Sequence, residues 1–257
     1  MMEMYQEIVN LISRGERAVL ATVVSSGGSV PRRTDAKMLI KSDGTFLGTV
    51  GGGGVELKVI DMAPEVIHSG QSQLLHFDLS GEGEKAAMIC GGTMDVFLEP
   101  ILPLETLYFF GAGHISEAAA KLAKPLGFRI TVVDPRPEFN NKERFPDVES
   151  NIIEPYTEAF LKLNIGSDSY VVICTPGHVF DEQCLHFAVG TKATYIGMIG
   201  SKKKVKDVKE RLINKGVLPQ NLEKVHAPIG LEIGAETPYE IAISILAEII
   251  KIKRIKI

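Results

Sequence analysis

The feature that most constrains the fold of this chain is an apolar run that passes without a break into a glycine turn and then a helix. The sequence predicts a strand over Leu107–Phe110, a turn at Gly111-Ala112-Gly113 and a helix over Glu117–Leu126. This order is the context that a dinucleotide-binding fingerprint requires. Gly111 would allow the tight turn, and Gly113 would let the backbone come close to a phosphate. The first amides of the helix would supply donors and positive potential for that phosphate.

A second strand agrees with this interpretation. The run Arg129–Val133 ends in Asp134, about 20 residues after the glycines, where an acidic side chain meets a ribose hydroxyl in nucleotide-binding domains. Ser116 stands in place of the third glycine of the fingerprint and is small enough for close packing of helix on strand. The pattern favours a phosphate-bearing ligand over an empty glycine turn. A dinucleotide, a mononucleotide and a pterin phosphate all fit it.

The pattern along the chain predicts two domains, over residues 1–102 and 106–257. In the second, short apolar runs alternate with amphipathic helices, as in a parallel sheet with crossover helices. Its other predicted strands are Tyr170–Cys174 and Thr194–Gly197. The first half has hairpin signals instead, and Pro100 and Pro103 should break the sheet between the halves. We therefore predict an α/β protein: a C-terminal Rossmann-like parallel sheet with helices on both faces, preceded by a smaller α+β N-terminal domain.

Composition excludes some functions. The net charge of −4 gives no broad basic field for nucleic acid. No apolar run approaches the roughly 18 residues that span a bilayer, and the N-terminus lacks the basic region of a secretory signal. The three cysteines, Cys90, Cys174 and Cys184, have no metal-finger spacing, so we expect reduced thiols in a cytoplasmic protein.

Two further loops carry candidate residues. Cys90 precedes Gly91 and Gly92, and its thiolate could ligate a metal or carry sulfur, or Cys90 could be a small buried apolar residue. His178 and Asp181 follow the predicted strand Tyr170–Cys174, at the edge where open α/β sheets bind ligands. This histidine and carboxylate could orient each other or bind a polar ligand, or they could be ordinary surface residues.

Two other predicted helix starts contain residues that could bind an anion or cap the helix. The run of four glycines at 51–54 could form a second anion cradle or a surface for packing, and Pro64 should kink or interrupt the helix that follows. Ser201 is expected to cap another helix. No Ser/His/Asp triad or pair of carboxylates indicates catalysis.

Taken together, several runs resemble the XdhC/CoxI family of molybdenum-hydroxylase maturation factors. The resemblance extends over nearly the whole chain in the family's order. The matching runs are Ser29-Val30-Pro31-Arg32-Arg33, Gly48-Thr49-Val50-Gly51-Gly52-Gly53, Cys90-Gly91-Gly92, Phe110-Gly111-Ala112-Gly113-His114, Val133-Asp134-Pro135-Arg136, Tyr195-Ile196-Gly197-Met198-Ile199-Gly200-Ser201-Lys202 and Pro228-Ile229-Gly230-Leu231-Glu232-Ile233-Gly234-Ala235-Glu236-Thr237-Pro238.

The resemblance implies a homodimeric accessory protein without turnover of its own. Such a protein binds molybdenum cofactor, assists its sulfuration with a cysteine desulfurase and delivers it to an apo molybdenum hydroxylase such as xanthine dehydrogenase. This chain departs from many members at Gly54, where they have a cysteine, and at Pro176, where they have a histidine.

On this basis the sequence predicts roles for individual residues. Gly111, Gly113 and His114 would seat the phosphate, Asp134 would hold a hydroxyl or ring nitrogen, and Cys90 would face the sulfur or metal. Gly91, Gly92, His178 and Asp181 complete the predicted set. The alternative is an oxidoreductase that uses NAD(P) or a flavin. Asp134 favours it, whereas the missing third glycine and the lack of a proton-transfer group disfavour it.

Overall fold

The computed structural model describes residues 2–28, 34–79 and 92–255. The chain forms two compact units, the first extending to Pro103 and the second beginning at Leu104. The elements of the first unit are α1 (Met2–Arg14), β1 (Ala18–Gly28), β2 (Lys37–Lys41), β3 (Phe46–Gly48), α2 (Gly53–Ser69), β4 (Gln73–Asp78) and β5 (Gly92–Ile101).

The first unit is an antiparallel sheet packed against α2. Its strand order is β3-β2-β1-β5-β4. The predicted hairpin forms between β2 and β3, with Gly44 at φ +83° in the turn. On one face of the sheet, alternate apolar side chains pack against the buried side of α2, which consists of Val55, Val59, Ala63 and Val66. This arrangement confirms the smaller α+β unit.

Pro64 does not interrupt its helix, and the first sheet ends one residue after Pro100, at Ile101. Helix α2 is 17 residues long and contains Pro64. Its apolar side, with Ala63 and Val66, packs on the sheet, and this packing offsets the cost of the proline. Strand β5 likewise continues through Pro100, which pairs with Val19 of β1. The pairing with β4 ends at Leu98, so the other edge of β5 is free there and loses no ladder hydrogen bond.

The second unit is built on a parallel sheet. Its elements are β6 (Thr106–Phe110), α3 (His114–Ala123), β7 (Arg129–Val133), β8 (Ser150–Ile152), α4 (Tyr156–Lys162), β9 (Ser169–Ile173), α5 (His178–Ala188), β10 (Tyr195–Met198), α6 (Lys202–Asn214), α7 (Pro219–Glu223), β11 (Val225–His226) and α8 (Pro238–Ile255). A short 3-10 turn over Lys124–Leu126 follows α3. Helices α3 and α8 pack on one face, and α4, α5, α6 and α7 on the other. The predicted Rossmann-like fold is confirmed.

The strand order places a switch point in the middle of the sheet. The order is β11-β10-β9-β6-β7-β8, so the chain moves outwards from β6 in one direction and later from β9 in the other. Helix α3 follows β6 onto one face, and α5 follows β9 onto the opposite face. Adjacent carboxyl ends of this kind are where open α/β sheets bind ligands.

Candidate functional site

The turn after β6 requires glycine at its first position. Gly111 has φ +106°, and a Cβ there would lie 2.2 Å from the backbone carbonyl oxygen of Cys174 at the end of β9. Any side chain would therefore push the carboxyl ends of two neighbouring strands apart. This close approach is what the first glycine of the predicted fingerprint provides.

The start of α3 is open. Gly113 is the N-cap residue and forms no side-chain cap, and a Cβ on Gly113 would meet no atom within 4 Å. His114, the first helical residue, is exposed. Among the residues that the structure describes, no acceptor bonds the backbone N–H groups of residues 113–116. This row of donors has the form of an anion seat at a helix N-terminus.

The peptide groups of Ala112 are held from both sides. The Ala112 N–H donates to Oδ2 of Asp134 at 2.8 Å, and Nη1 of Arg144 donates to the Ala112 carbonyl at 2.9 Å. Arg144 also forms an ion pair with Glu117 of α3 at 2.6 Å. The loop between β7 and β8 thus fixes the shape of the glycine turn.

Asp134 is fully buried and makes four hydrogen bonds within the chain. Besides the Ala112 amide, it accepts from the N–H of Arg136 at 3.0 Å and from Nε and Nη2 of the Arg136 guanidinium at 2.9 and 2.8 Å. Burial raises the pKa of Asp134, but the bonds from Arg136 and Ala112 outweigh it and hold the pKa below its usual value. A direct bond from Asp134 to a ligand hydroxyl stays a prediction, and one of these donors would have to give way for it.

A second open helix start lies on the neighbouring strand. Gly177 is the N-cap of α5 without a side-chain cap, and a Cβ there would also meet nothing within 4 Å. The exposed His178 begins the helix, just as His114 begins α3. The switch point therefore has two Gly-His helix starts, on adjacent strands and opposite faces of the sheet.

Asp181 has the same structural role at this second turn as Asp134 has at the first. It is fully buried, accepts from the amide and hydroxyl of Thr175 at 3.2 and 2.6 Å, and pairs with Lys204 of α6. Its hydrogen bonds are to Thr175 and Lys204 and not to His178. Because Asp181 is fully buried, a ligand at the surface would contact the groups that Asp181 holds and not its carboxylate.

The starts of α2 and α6 are closed by side chains of the chain itself. Glu56 in α2 accepts from the amides of Val50 and Gly52 and from the hydroxyl of Thr49, so a carboxylate already occupies the four-glycine run. These bonds lower the pKa of Glu56 in spite of the opposing effect of burial. Ser201 caps α6 as predicted, by accepting from the Lys204 amide. The starts of α3 and α5, by contrast, have no side-chain cap and lie at the switch point of the sheet.

An open pocket of about 280 Å³ lies beside the start of α5. The residues that line it are His178, Val179, Glu182, Lys204, Asp207 and Arg211. Both signs of charge line this pocket, and Glu182 pairs with Arg211. Among the predicted site residues, only His178 lies in this lining.

The cysteines and the possible metal ligands among the described residues add little to the candidate site. Cys90 and Gly91 lie outside the described residues, and Gly92 is the buried first residue of β5. Burial raises the pKa of Cys174 to about 12, so its thiol is protonated at neutral pH. Within the described ranges, no three His, Cys, Asp or Glu side chains are grouped so that they could hold a metal ion. Nor is any helix in those ranges long and apolar enough to cross a membrane.

Sequence reasoning missed the cations of this site. Arg136, Arg144 and Lys204 hold the two turns through Asp134, Ala112 and Asp181. Two signals were available in the sequence. The run Val133-Asp134-Pro135-Arg136 places a guanidinium two residues after the acid, and the run Gly200-Ser201-Lys202-Lys203-Lys204 places lysines at a helix start.

Comparison with known proteins supports the fold of the chain. The model of the XdhC Rossmann domain matches residues 107–249, and that of the XdhC and CoxI family matches residues 11–78. The crystal structure of a xanthine dehydrogenase from Bacillus halodurans superposes with a TM-score of 0.54 at 25% identity, over 97% of this chain and 95% of that one.

Two proteins of Escherichia coli (strain K12) are similar in sequence. The uncharacterized protein YqeB is 36% identical over 98% of this chain, but the match covers 46% of YqeB, so this chain spans about half of its length. The molybdenum cofactor insertion chaperone PaoD is 22% identical over 95% of this chain and 86% of its own length.

Proposed function

Because this chain belongs to the XdhC and CoxI family, we propose that it is a maturation factor that binds molybdenum cofactor and carries it to an apo molybdenum hydroxylase of the xanthine dehydrogenase type. The observation that carries the proposal is the open row of amides at residues 113–116. The relationship to PaoD, a molybdenum cofactor insertion chaperone, supports the choice of ligand.

The phosphate of the cofactor would bind at the start of α3. Gly113 leaves space for a phosphate oxygen to reach the backbone amides, and the positive end of the helix dipole favours the negative charge. His114 is exposed at the first position of α3, where either ring nitrogen could donate to the ligand. Gly177 and His178 offer a second set of donors on the neighbouring strand.

A carrier needs no proton-transfer group of its own, and we propose that this protein has no turnover. The environment of the buried acids supports this proposal. Asp134 and Asp181 hold turns and cations, so neither is free to move a proton to a ligand. The thiol of Cys174 is protonated and unsuited to nucleophilic attack.

The remaining family roles are proposals for the rest of the chain. We assign the family-specific domain to residues 1–102 and the cofactor-binding domain to residues 106–257. Cys90 and the glycines at 91 and 92 would accept sulfur or face the metal. The partners would be a cysteine desulfurase, the apo-hydroxylase and a second copy of this chain, in the cytoplasm.

A co-elution experiment with matched glycine variants tests the phosphate seat. Purified protein is mixed with molybdenum cofactor and gel-filtered, and the pterin and molybdenum in the protein fraction are measured. Gly113→Ala places a methyl group among the free amides, whereas Gly166→Ala adds one at the entrance to β9 with equally open surroundings. We expect the wild type and Gly166→Ala to retain the cofactor and Gly113→Ala to lose most of it. Failure of the wild type to retain cofactor would refute the proposal.

The alternative, an oxidoreductase with a nicotinamide or flavin cofactor, uses the same row of amides for a pyrophosphate. It also needs an acceptor for the ribose hydroxyls, which Asp134 could provide only by releasing Arg136 or the Ala112 amide. Titration with NADH, followed by nicotinamide fluorescence, distinguishes the two. Tight binding accompanied by hydride transfer to an acceptor would favour the enzyme.

A further inference from the structure

Arg136 is held in one orientation beside the glycine turn. Its Nε and Nη2 donate to the two oxygens of Asp134, and its guanidinium lies over the ring of Phe139 at 4.1 Å from the centroid. About one third of the side chain is exposed. No acceptor in the described ranges bonds Nη1, which leaves its two N–H groups available.

The guanidinium is close to the phosphate seat. Oδ2 of Asp134 accepts both from Nη2 of Arg136 and from the Ala112 amide, each at 2.8 Å. One carboxylate oxygen therefore links the Arg136 guanidinium to the turn before α3 through two hydrogen bonds. A ligand seated at that turn would extend past Arg136 if it continued along the carboxyl edge of the sheet towards β7.

The hydroxyl of Tyr156 lies close to the same carboxylate. It is buried and has no partner within ordinary hydrogen-bond distance, but it interacts with the Asp134 carboxylate. Burial and the charge of Asp134 raise the pKa of Tyr156, so the hydroxyl is protonated and can donate towards Asp134. Tyr156 therefore adds to the donors that surround Asp134, and Arg136 is the group of this cluster that can reach a ligand.

Asp134 is poorly suited to a ribose diol. A carboxylate has about four lone-pair sites, and four donors within the chain already use those of Asp134. In Rossmann domains a free acid here binds the ribose hydroxyls, whereas a nearby arginine accommodates a phosphate on the ribose. The surroundings of Asp134 correspond to the second arrangement.

We propose that Arg136 binds a second anionic group of the ligand and selects doubly phosphorylated ligands over those with a free ribose diol. This inference rests on the proposed function only in that the turn at Gly113 seats the first phosphate. The second anion is a tetrahedral oxyanion of the kind that a phosphate on the ribose of a nucleotide supplies. The phosphate of molybdenum cofactor is already placed at the start of α3, so this inference concerns a nucleotide ligand of the same seat.

The test compares two small probes that differ by one phosphate. The affinities of 5′-AMP and 2′,5′-ADP are measured by calorimetry with the wild type. Because a hydrogen-bonded charge pair contributes about 1.5–3 kcal/mol, 2′,5′-ADP should bind roughly 10- to 100-fold more tightly than 5′-AMP. Arg136→Gln should abolish this preference and leave the affinity for 5′-AMP unchanged. Lys206→Gln removes one charge from an exposed position of α6 and serves as the matched control.

A second variant keeps the test valid if Arg136→Gln fails to fold. Arg136→Lys preserves a cation opposite Asp134 but loses the planar fork, so Nη1 has no equivalent. It should fold and still lose most of the preference.

The outcomes separate the two proposals. Equal affinities of the wild type for both probes, or an unchanged preference in Arg136→Lys, would overturn the role of Arg136 alone. Absence of binding by either probe would overturn the role of Arg136, whereas the proposed function would still be decided by the co-elution experiment with molybdenum cofactor. Loss of the 2′,5′-ADP preference in Arg136→Lys together with unchanged retention of molybdenum cofactor would support Arg136 as a contact for the second phosphate of a nucleotide. Loss of both ligands would mean that the substitution damages the seat itself and would overturn this role.

Discussion

Two glycines of one turn should respond in opposite ways to the same substitution. In Gly111→Ala the new methyl would lie 2.2 Å from the carbonyl oxygen and 2.6 Å from the carbonyl carbon of Cys174, at φ +106°. In Gly113→Ala the methyl would meet nothing within 4 Å, and φ is −76°, which alanine adopts readily. Comparison of the two variants separates an effect on the stability of the sheet from an effect on access to the free amides at the start of α3.

The expected magnitudes follow from these contacts. A disfavoured backbone conformation costs about 1–3 kcal/mol, and the overlap with two backbone atoms adds about 1–3 kcal/mol. We therefore expect Gly111→Ala to lower the free energy of unfolding by about 3 kcal/mol or more. In a unit of this size that corresponds to a fall in Tm of roughly 6–12 °C. Gly113→Ala should change stability by less than about 1 kcal/mol, and the change can be favourable.

Urea denaturation followed by circular dichroism measures both values, and phosphate binding is measured on the folded variants. Gly113→Ala should fold like the wild type and bind 5′-AMP at least about tenfold more weakly, which corresponds to 1.4 kcal/mol. Wild-type stability in Gly111→Ala would refute the close approach of β6 and β9. Wild-type binding by Gly113→Ala would refute the position of the seat.

Three further predictions concern buried polar groups. Asp134→Asn should lower stability by about 2 kcal/mol, because it weakens the pairing with Arg136, which is partly exposed. The pKa of Asp134 is lowered in the folded state, so its contribution is complete above the unfolded pKa of about 3.9 and is lost as the pH falls through the lower folded value. The variant should therefore show a flatter stability profile below about pH 4. Glu56→Gln should cost about 1 kcal/mol in urea denaturation, because the glycine-run amides lose a charged acceptor; no loss would mean that the glycine run needs no internal anion. Ser116→Ala should leave the Tm unchanged or raise it, because the buried hydroxyl has no partner, and a marked fall would show that the hydroxyl is satisfied in solution.

The sequence was sufficient for the fold of the second unit because its signals are local. The strands at 107–110 and 129–133 are short apolar runs, and the glycines between strand and helix have few other roles. Pro64 misled the prediction in the first unit, since the cost of a proline depends on packing and on sheet edges. Neither the packing of a helix nor the position of a sheet edge can be recognised from the residues that flank a proline.

The site was predicted less completely than the fold. The position of Asp134 at the end of the second strand was correct, but its hydrogen bonds depend on Arg136, which turns back towards it. The cations that hold the turns come from a long loop and from α6, and no periodicity predicts where these approach the sheet. The four-glycine run at 51–54 is the most obvious glycine pattern in the chain, and Glu56 closes it from within the following helix.

The two buried aspartates have a consequence for the kinetics of binding. Asp134 and Asp181 hold their turns in shape without a ligand, so the loops are preorganised and association has little loop-ordering entropy to overcome. Encounter rates should then be similar for all anions of comparable charge. Ligands should differ mainly in their dissociation rate constants. A carrier protein would therefore release its ligand through a change in that constant.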